Sequence, residues 1–131
     1  MSYSTLRWID GEFTVHRFSA ETPIPPSILS TPFTTISRTN SELSIVAPSS
    51  APITSPKSDS DWVMFVFEGT LDFSLTGILA GIAQPLAAVG VSIFAISTFD
   101  TDYVMVKQEQ KRLAQTTLIE AGYQFKEAII S

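Results

Sequence analysis

The chain has 131 residues, 44% of them hydrophobic and only 16% charged, with a net charge of −5. That makes one compact domain or two very small ones, with enough apolar material for a core and too little charge for a disordered chain. There is no cysteine, which excludes disulfides, thiolate metal sites and a cysteine nucleophile, and the eight Lys and Arg are scattered, which leaves no basic stripe for nucleic acid.

The first residues, MSYSTLRWIDGE, have no basic segment followed by an apolar one, so no signal peptide is expected and a cytoplasmic location fits. Asp10-Gly11 offers a hairpin turn between TLRW (5–8) and FTVHRF (13–18). SAETPIPPSILS (19–30) is too rich in proline for a long helix, although Pro25-Pro26 can open a single turn. FTTISRTNSELSIVAP (33–48) follows, reading as strand, polar turn and strand. SSAPITSPKSDSD (49–61) is polar and rich in Ser and Pro, the composition of a linker or loose loop.

The second half is more regular. WVMFVFEG (62–69) is an apolar, aromatic strand closed by glycine. In DFSLTGILAGIAQPLAAVG, Asp72 or Ser74 can cap a helix whose apolar positions Ile78, Ile82 and Leu86 recur every four residues. Pro85 should bend or tighten that helix and Gly90 should stop it. VSIFAISTF (91–99) is a second strand, DTD a turn and YVMVK (103–107) a third strand. QEQKRLAQTTLIEAG is a second helix, with Leu113, Ala114, Leu118 and Ala121 on one face and Gly122 as its stop. YQFKEAII (123–130) is a fourth strand at an edge. The order β-α-β-β-α-β predicts an α+β, ferredoxin-like arrangement, two helices covering one face of an antiparallel sheet. Residues 73–99 carry no charge, a run long enough to cross a bilayer, but Gln84-Pro85 and Gly90 interrupt it and its flanks, Asp72 and Asp100, are acidic. A buried helix followed by a buried strand accounts for it better than a membrane span.

The two halves share a pattern. ISRTNSELSIV (36–46) lies over ISTFDTDYVMV (96–106) at a constant offset of sixty residues, matching Ile36 to Ile96, Ser37 to Ser97, Glu42 to Asp102 and Val46 to Val106. Each copy is a strand, a polar turn with an acidic end, and a strand. Duplication would make the chain two related half-units, the first having lost most of its helices.

The D-x-D of Asp100 and Asp102 can bind a metal, supply a nucleophile, cap a turn or hold an amine. The corner LDFSLTGIL (71–79) and the segment GVSIFAISTFDTDYVMVK (90–107) together resemble the ACT-domain family of amino-acid-binding regulatory modules. They are most similar to the small tandem-ACT proteins related to the cytosolic arginine sensors of animals. The resemblance covers residues 61–131 well and reaches the first half mainly through RTNSELSIV. It implies an ACT domain over 59–131 in tandem with a degenerate ACT-like half over 1–58, the two continuing one antiparallel sheet, with a small amino acid bound at the seam between ACT-like units. The strand 91–99, apolar and at an edge, invites pairing, so a homodimer is expected.

By the resemblance, the ligand faces residues 75–78 and 96–102. Asp72, Ser74, Leu75, Thr76, Gly77 and Ile78 would present a helix start and its free N–H groups to a carboxylate. Ile96, Ser97, Thr98, Phe99 and Asp100 would hold the ammonium group and cover the aliphatic part, and Asp102 would suit a cationic side chain. Turn capping alone is the other reading of Asp100 and Asp102, and helix capping that of Asp72. A plain oligomerisation or interaction module is the second functional reading. A small metal-dependent hydrolase is the third: FEGTLDFS superficially resembles the DxDGTL segment of aspartate-nucleophile phosphohydrolases, but its two acids would fall on Val66 and Glu68. The single histidine, His16, offers no convincing Ser–His pair. No catalytic residue, metal or cofactor is expected.

Overall fold

The structure, a computed structural model, describes residues 5–68 and 76–126. It forms two compact units, Met1–Asp10 with Val63–Ser131, and Gly11–Trp62. The strands are β1 (Thr5–Phe18), β2 (Thr35–Arg38), β3 (Leu43–Pro48), β4 (Lys57–Phe67), β5 (Phe94–Ser97), β6 (Asp102–Lys107) and β7 (Gln124–Lys126), and the helices are α1 (Ile78–Ala88) and α2 (Lys111–Glu120). This is an α+β fold on an antiparallel framework, as expected. The resemblance implies a division between residues 58 and 59. Packing divides the chain elsewhere, because β1 and β4 are long enough for each to contribute one end to each unit.

In the larger unit the strands run β7-β1-β4-β6-β5. β5 pairs antiparallel with β6 and ends the order, an edge as predicted. A plain βαββαβ sheet would set its first and last strands, here β4 and β7, side by side. Instead, the start of β1 lies between them and pairs in parallel with β7 from Thr5 to Arg7. Leu6 carries that insertion into the core, which also takes Phe65, Phe67, Ile82, Leu86, Val104, Val106 and Leu118. Trp8 packs edge-on against Phe65 and stacked on Phe125, and its Nε1 donates to Gln115 Oε1 at 2.9 Å.

Both helices end on the glycines expected. Gly90 (φ 79°) and Gly122 (φ 106°) take the left-handed conformation. In each case the glycine N–H and the next one return to the last turn: Gly90 to Ala87, Val91 to Leu86, Gly122 to Ile119 and Tyr123 to Leu118. That pair of bonds satisfies carbonyls that would otherwise be left over at a helix end. α1 begins later than predicted: its N-cap is Gly77 (φ 74°), without a side-chain cap, rather than Asp72 or Ser74, which lie outside the described residues. In α2, Ala114 and Leu118 are buried as predicted, but Leu113 and Ala121 are exposed; Gln115, bonded to Trp8, takes a core position instead.

The smaller unit has the order β2-β3-β1-β4. Its core is Phe18, Ile28, Leu43, Ile45 and Ala47, with Ile28 supplied by a single 3₁₀ turn, Pro26–Ser30, opened by Pro25-Pro26 as expected. Two expectations are corrected here. The Asp10-Gly11 hairpin does not form: Gly11 takes φ 90° within one continuous strand, where a left-handed residue absorbs an irregularity in the ladder without reversing the chain. The loose loop 49–61 ends in regular structure, since Lys57 to Asp61 begin β4 although all five are exposed. Backbone pairing needs no apolar side chains there.

Candidate functional site

The β5–β6 connection is a four-residue turn closed upon itself. Ser97 stands opposite Asp102 in the ladder. The Thr98 N–H donates to the Thr101 carbonyl at 2.8 Å, the Thr98 hydroxyl donates to the same carbonyl at 3.1 Å, and Ser97 Oγ donates to Asp102 Oδ1 at 2.6 Å. The structure therefore brings Ser97, Thr98, Thr101 and Asp102 together and gives Asp102 a turn-closing role. Asp100 is exposed, with no hydrogen-bond or ion-pair partner among the described residues. Phe99 is 80% exposed at the tip. Thr101, inside the expected segment 96–102 but given no role of its own there, is 8% exposed, and its Oγ1 has no hydrogen-bond partner among the described residues. Ile96 is half-buried in β5.

On the other predicted segment, Thr76 and Gly77 are exposed and Ile78 is half-buried at the first turn of α1. Asp72, Ser74 and Leu75 lie outside the described residues. Gly77 N-caps the helix with nothing within 4 Å of where a Cβ would stand, so its backbone is approachable. Among the described residues no cluster of three or more His, Asp or Glu side chains could hold a metal ion, and no helix is long and apolar enough to cross a membrane.

The turn between β2 and β3 repeats this construction. The Thr39 N–H donates to the Glu42 carbonyl at 2.9 Å, and Thr39 Oγ1 caps the N–H groups of Ser41 and Glu42 at 3.1 Å each. The two hairpins share a threonine-headed turn, but Thr39 corresponds to Thr98, one residue off the offset of sixty read from the sequence. Matched by structure, Ile45 falls on Val104 and Ala47 on Val106, all four buried.

One side-chain pair was missed in the sequence. His16 Nδ1 lies 2.8 Å from Ser55 Oγ, which donates its own proton to the Lys57 carbonyl at 2.8 Å. A hydroxyl has one proton, so His16 donates from Nδ1 and its Nε2 carries the lone pair. Ser55 is thus tied to a carbonyl, not activated as a nucleophile. His16 is 7% exposed, and burial lowers its pKa below the ordinary value of 6.5. An unfolded chain takes up a proton near pH 6.5 where the folded one does not. The stabilisation is fully present above that pH and is lost as pH falls toward the lowered folded pKa, by up to about 1.4 kcal/mol per pH unit. Urea melts between pH 7.5 and 5 are expected to show this loss, and His16→Gln to flatten it; an unchanged slope in the variant would assign the effect to other groups.

The sequence of residues 57–120 matches the ACT domain family. The matched residues begin with β4 and end with α2, so the match includes the turn at Asp100 and the start of α1. Among solved structures, protein Atu0741 from Agrobacterium tumefaciens is similar at 32% identity, over 97% of this chain and 96% of that one, with a TM-score of 0.86. The chain belongs to one family with that protein. The fold is also similar to aspartate kinase from Clostridium acetobutylicum (14% identity, 86% of this chain and 33% of that one, TM-score 0.62). It is similar too to the regulatory subunit of aspartate kinase from Thermus thermophilus (11%, 86% and 93%, TM-score 0.57). Among curated proteins none matches the sequence.

Proposed function

We propose that the chain is a cytoplasmic regulatory protein that acts by binding, not by catalysis, and that its ACT domain takes an amino acid between the start of α1 and the end of the β5–β6 hairpin. The observation that carries this reading is the unused polar chemistry at the hairpin end. Asp102 is occupied by Ser97, whereas the Asp100 carboxylate and the buried Thr101 hydroxyl have no partner among the described residues. The ammonium group goes to Asp100 and the carboxylate to the N–H groups of the first turn of α1, which lack intrahelical acceptors. Gly77 leaves room for close approach and Phe99 covers the aliphatic part. The aspartate kinase regulatory subunit of similar fold supports a regulatory role. The likeness to cytosolic arginine sensors makes a cationic amino acid the first ligand to test.

The seat is completed by a second copy. Among the described residues β5 ends the strand order, and pairing of two such edges would make a homodimer with a seam beside the hairpin tips. Ligand then stabilises one packing of the two copies and shifts a population, so its output passes to another protein. We further read residues 1–58 as a degenerate ACT-like half in tandem with 59–131, supported by the matching threonine-headed turns. The place of β5 at the end of the described strand order and the exposed Phe99 also favour the second reading, a module that only associates.

Calorimetric titration with the twenty amino acids, arginine and lysine first, tests the proposal. At least one is expected to bind with millimolar or tighter Kd, and Asp100→Asn to weaken it about tenfold through loss of a charge-assisted contact. Silence from all twenty, at protein concentrations that reveal millimolar binding, would leave the association module.

A further inference from the structure

Between Arg17 and Arg38 the only charged residue is Glu21. Depletion of charge is a mark of the centre of a protein interface. Within this stretch every residue from Thr22 to Pro25 is a proline or precedes one. Proline fixes φ near −65°, and a residue before proline is pushed to extended ψ, so the local sequence dictates polyproline II backbone. The structure agrees. Residues 22–25 belong to no helix or strand, and Pro25 has φ −63° and ψ 122°. The 3₁₀ turn Pro26–Ser30 follows at once. Both forms have about three residues per turn, so positions three apart lie on one side. Pro23, Pro26 and Leu29 therefore make one ridge. All three are exposed, Leu29 at 69%. Pro25 and Ile28, also three apart, point the other way: Pro25 is half-buried and Ile28 is buried.

The ridge is held at both ends. Arg38 donates from Nη1 to the Ala20 carbonyl and from Nη2 to the Thr22 carbonyl, the latter at 2.9 Å, and the Ser19 and Thr22 hydroxyls share a hydrogen bond at 2.9 Å. At the other end the Ile28 N–H donates to the Pro25 carbonyl at 3.3 Å, and the Ile28 side chain roots the turn in the core of the smaller unit. Between these anchors the Pro23 and Ile24 carbonyls accept no hydrogen bond from any described group. A segment already fixed in its bound shape loses little freedom on binding. We infer that Pro23, Pro26 and Leu29 dock into a groove lined by aromatic rings on a partner protein. The two proline rings, about 9 Å apart at one polyproline II turn, pack between the groove's rings. Trp or Tyr donors of the groove meet the Pro23 and Ile24 carbonyls, since those side chains join an apolar ring to a polar tip. Leu29 fills an apolar pocket beyond the prolines, and Glu21, exposed at the opposite end, selects a groove with a cation there. This surface lies in Gly11–Trp62 and shares no residue with the ACT-domain seat proposed above.

The test is an NMR titration of the isotope-labelled full chain with purified SH3, WW and EVH1 domains, whose grooves are of this aromatic kind. At least one domain is expected to bind in the micromolar range and to shift the amide signals of Ile24, Ser27 and Leu29 saturably. Pro23→Ala with Pro26→Ala, and separately Leu29→Ser, are each expected to weaken binding about tenfold. Leu29→Ser changes one exposed side chain and no backbone constraint, so its effect should come with an unchanged melting temperature. Asp100→Asn is expected to leave binding as it was. Silence from all three kinds of domain, at concentrations that reveal millimolar binding, overturns the inference. So does binding that survives both the double proline variant and Leu29→Ser, and so do saturable shifts that fall outside residues 19–31.

Discussion

Leu6→Ala is expected to lower stability by about 3 kcal/mol, within the range for a buried leucine truncated to alanine, and a fragment of residues 59–131 is expected not to fold. Leu6 is fully buried in the core that holds Phe65, Leu86 and Leu118, so its side chain cannot be replaced by solvent without leaving a cavity. The strand around it supplies more than one contact. β1 pairs with β7, and Trp8 touches Phe65 and Phe125, bonds Gln115 and lies 4.9 Å from the Lys111 ammonium. Without residues 5–10, β7 loses its parallel partner and Gln115, 6% exposed, loses a hydrogen bond. For the point variant, a melting temperature lower by roughly 10–20 °C is the measure. For the fragment it is the absence of a cooperative transition in circular dichroism. A fragment that melts cooperatively would show β1 to be an accessory strand.

That dependence was hidden in the sequence for a physical reason. A glycine after an aspartate serves equally for a tight turn and for a left-handed residue inside a strand, and only the partners on either side decide between them. Here the partners are β7, β3 and β4, all remote in sequence. The polar start of β4 was invisible for a related reason, since KSDSD has no alternation to reveal backbone pairing. Segments whose own side chains decide their structure were legible. The run from Trp62 to Phe67 is buried at every position, Ile82 and Leu86 face the core four residues apart, and Gly90 and Gly122 stop their helices.

The candidate sites divide in the same way. The hairpin at Asp100 is local, so its existence could be read directly, whereas the division of labour between its two aspartates depends on Ser97 across the ladder. The likeness of the two hairpins was visible but shifted by one residue, because matching side-chain types favoured Ile36 with Ile96 while the turn geometry aligns Thr39 with Thr98.

Gly81→Ala is expected to destabilise the protein by about 1–2 kcal/mol, although the same change in an ordinary helix interior would stabilise it by roughly 1 kcal/mol. A Cβ on Gly81 would stand 2.5 Å from the Tyr123 hydroxyl oxygen, well inside contact distance, and 3.8 Å from the ring carbon that bears it. Tyr123 packs against the core and follows directly on the glycine stop of α2, so its ring cannot retreat without disturbing that end of the helix. Overpacking of this kind costs about 1–3 kcal/mol. Removing the hydroxyl should therefore rescue the substitution. In a Tyr123→Phe background Gly81→Ala should be neutral or stabilising, a coupling of about 2 kcal/mol between the two positions. The double-mutant cycle cancels whatever Tyr123→Phe costs alone, so the coupling reports the 81–123 contact itself. Equal effects of Gly81→Ala in both backgrounds would mean that the hydroxyl is not the obstacle. Proline explains the remaining tolerance of glycine there. Pro85 has no N–H to offer the Gly81 carbonyl, and its ring crowds that carbonyl, so α1 meets its irregularity at the one residue whose missing side chain also admits Tyr123.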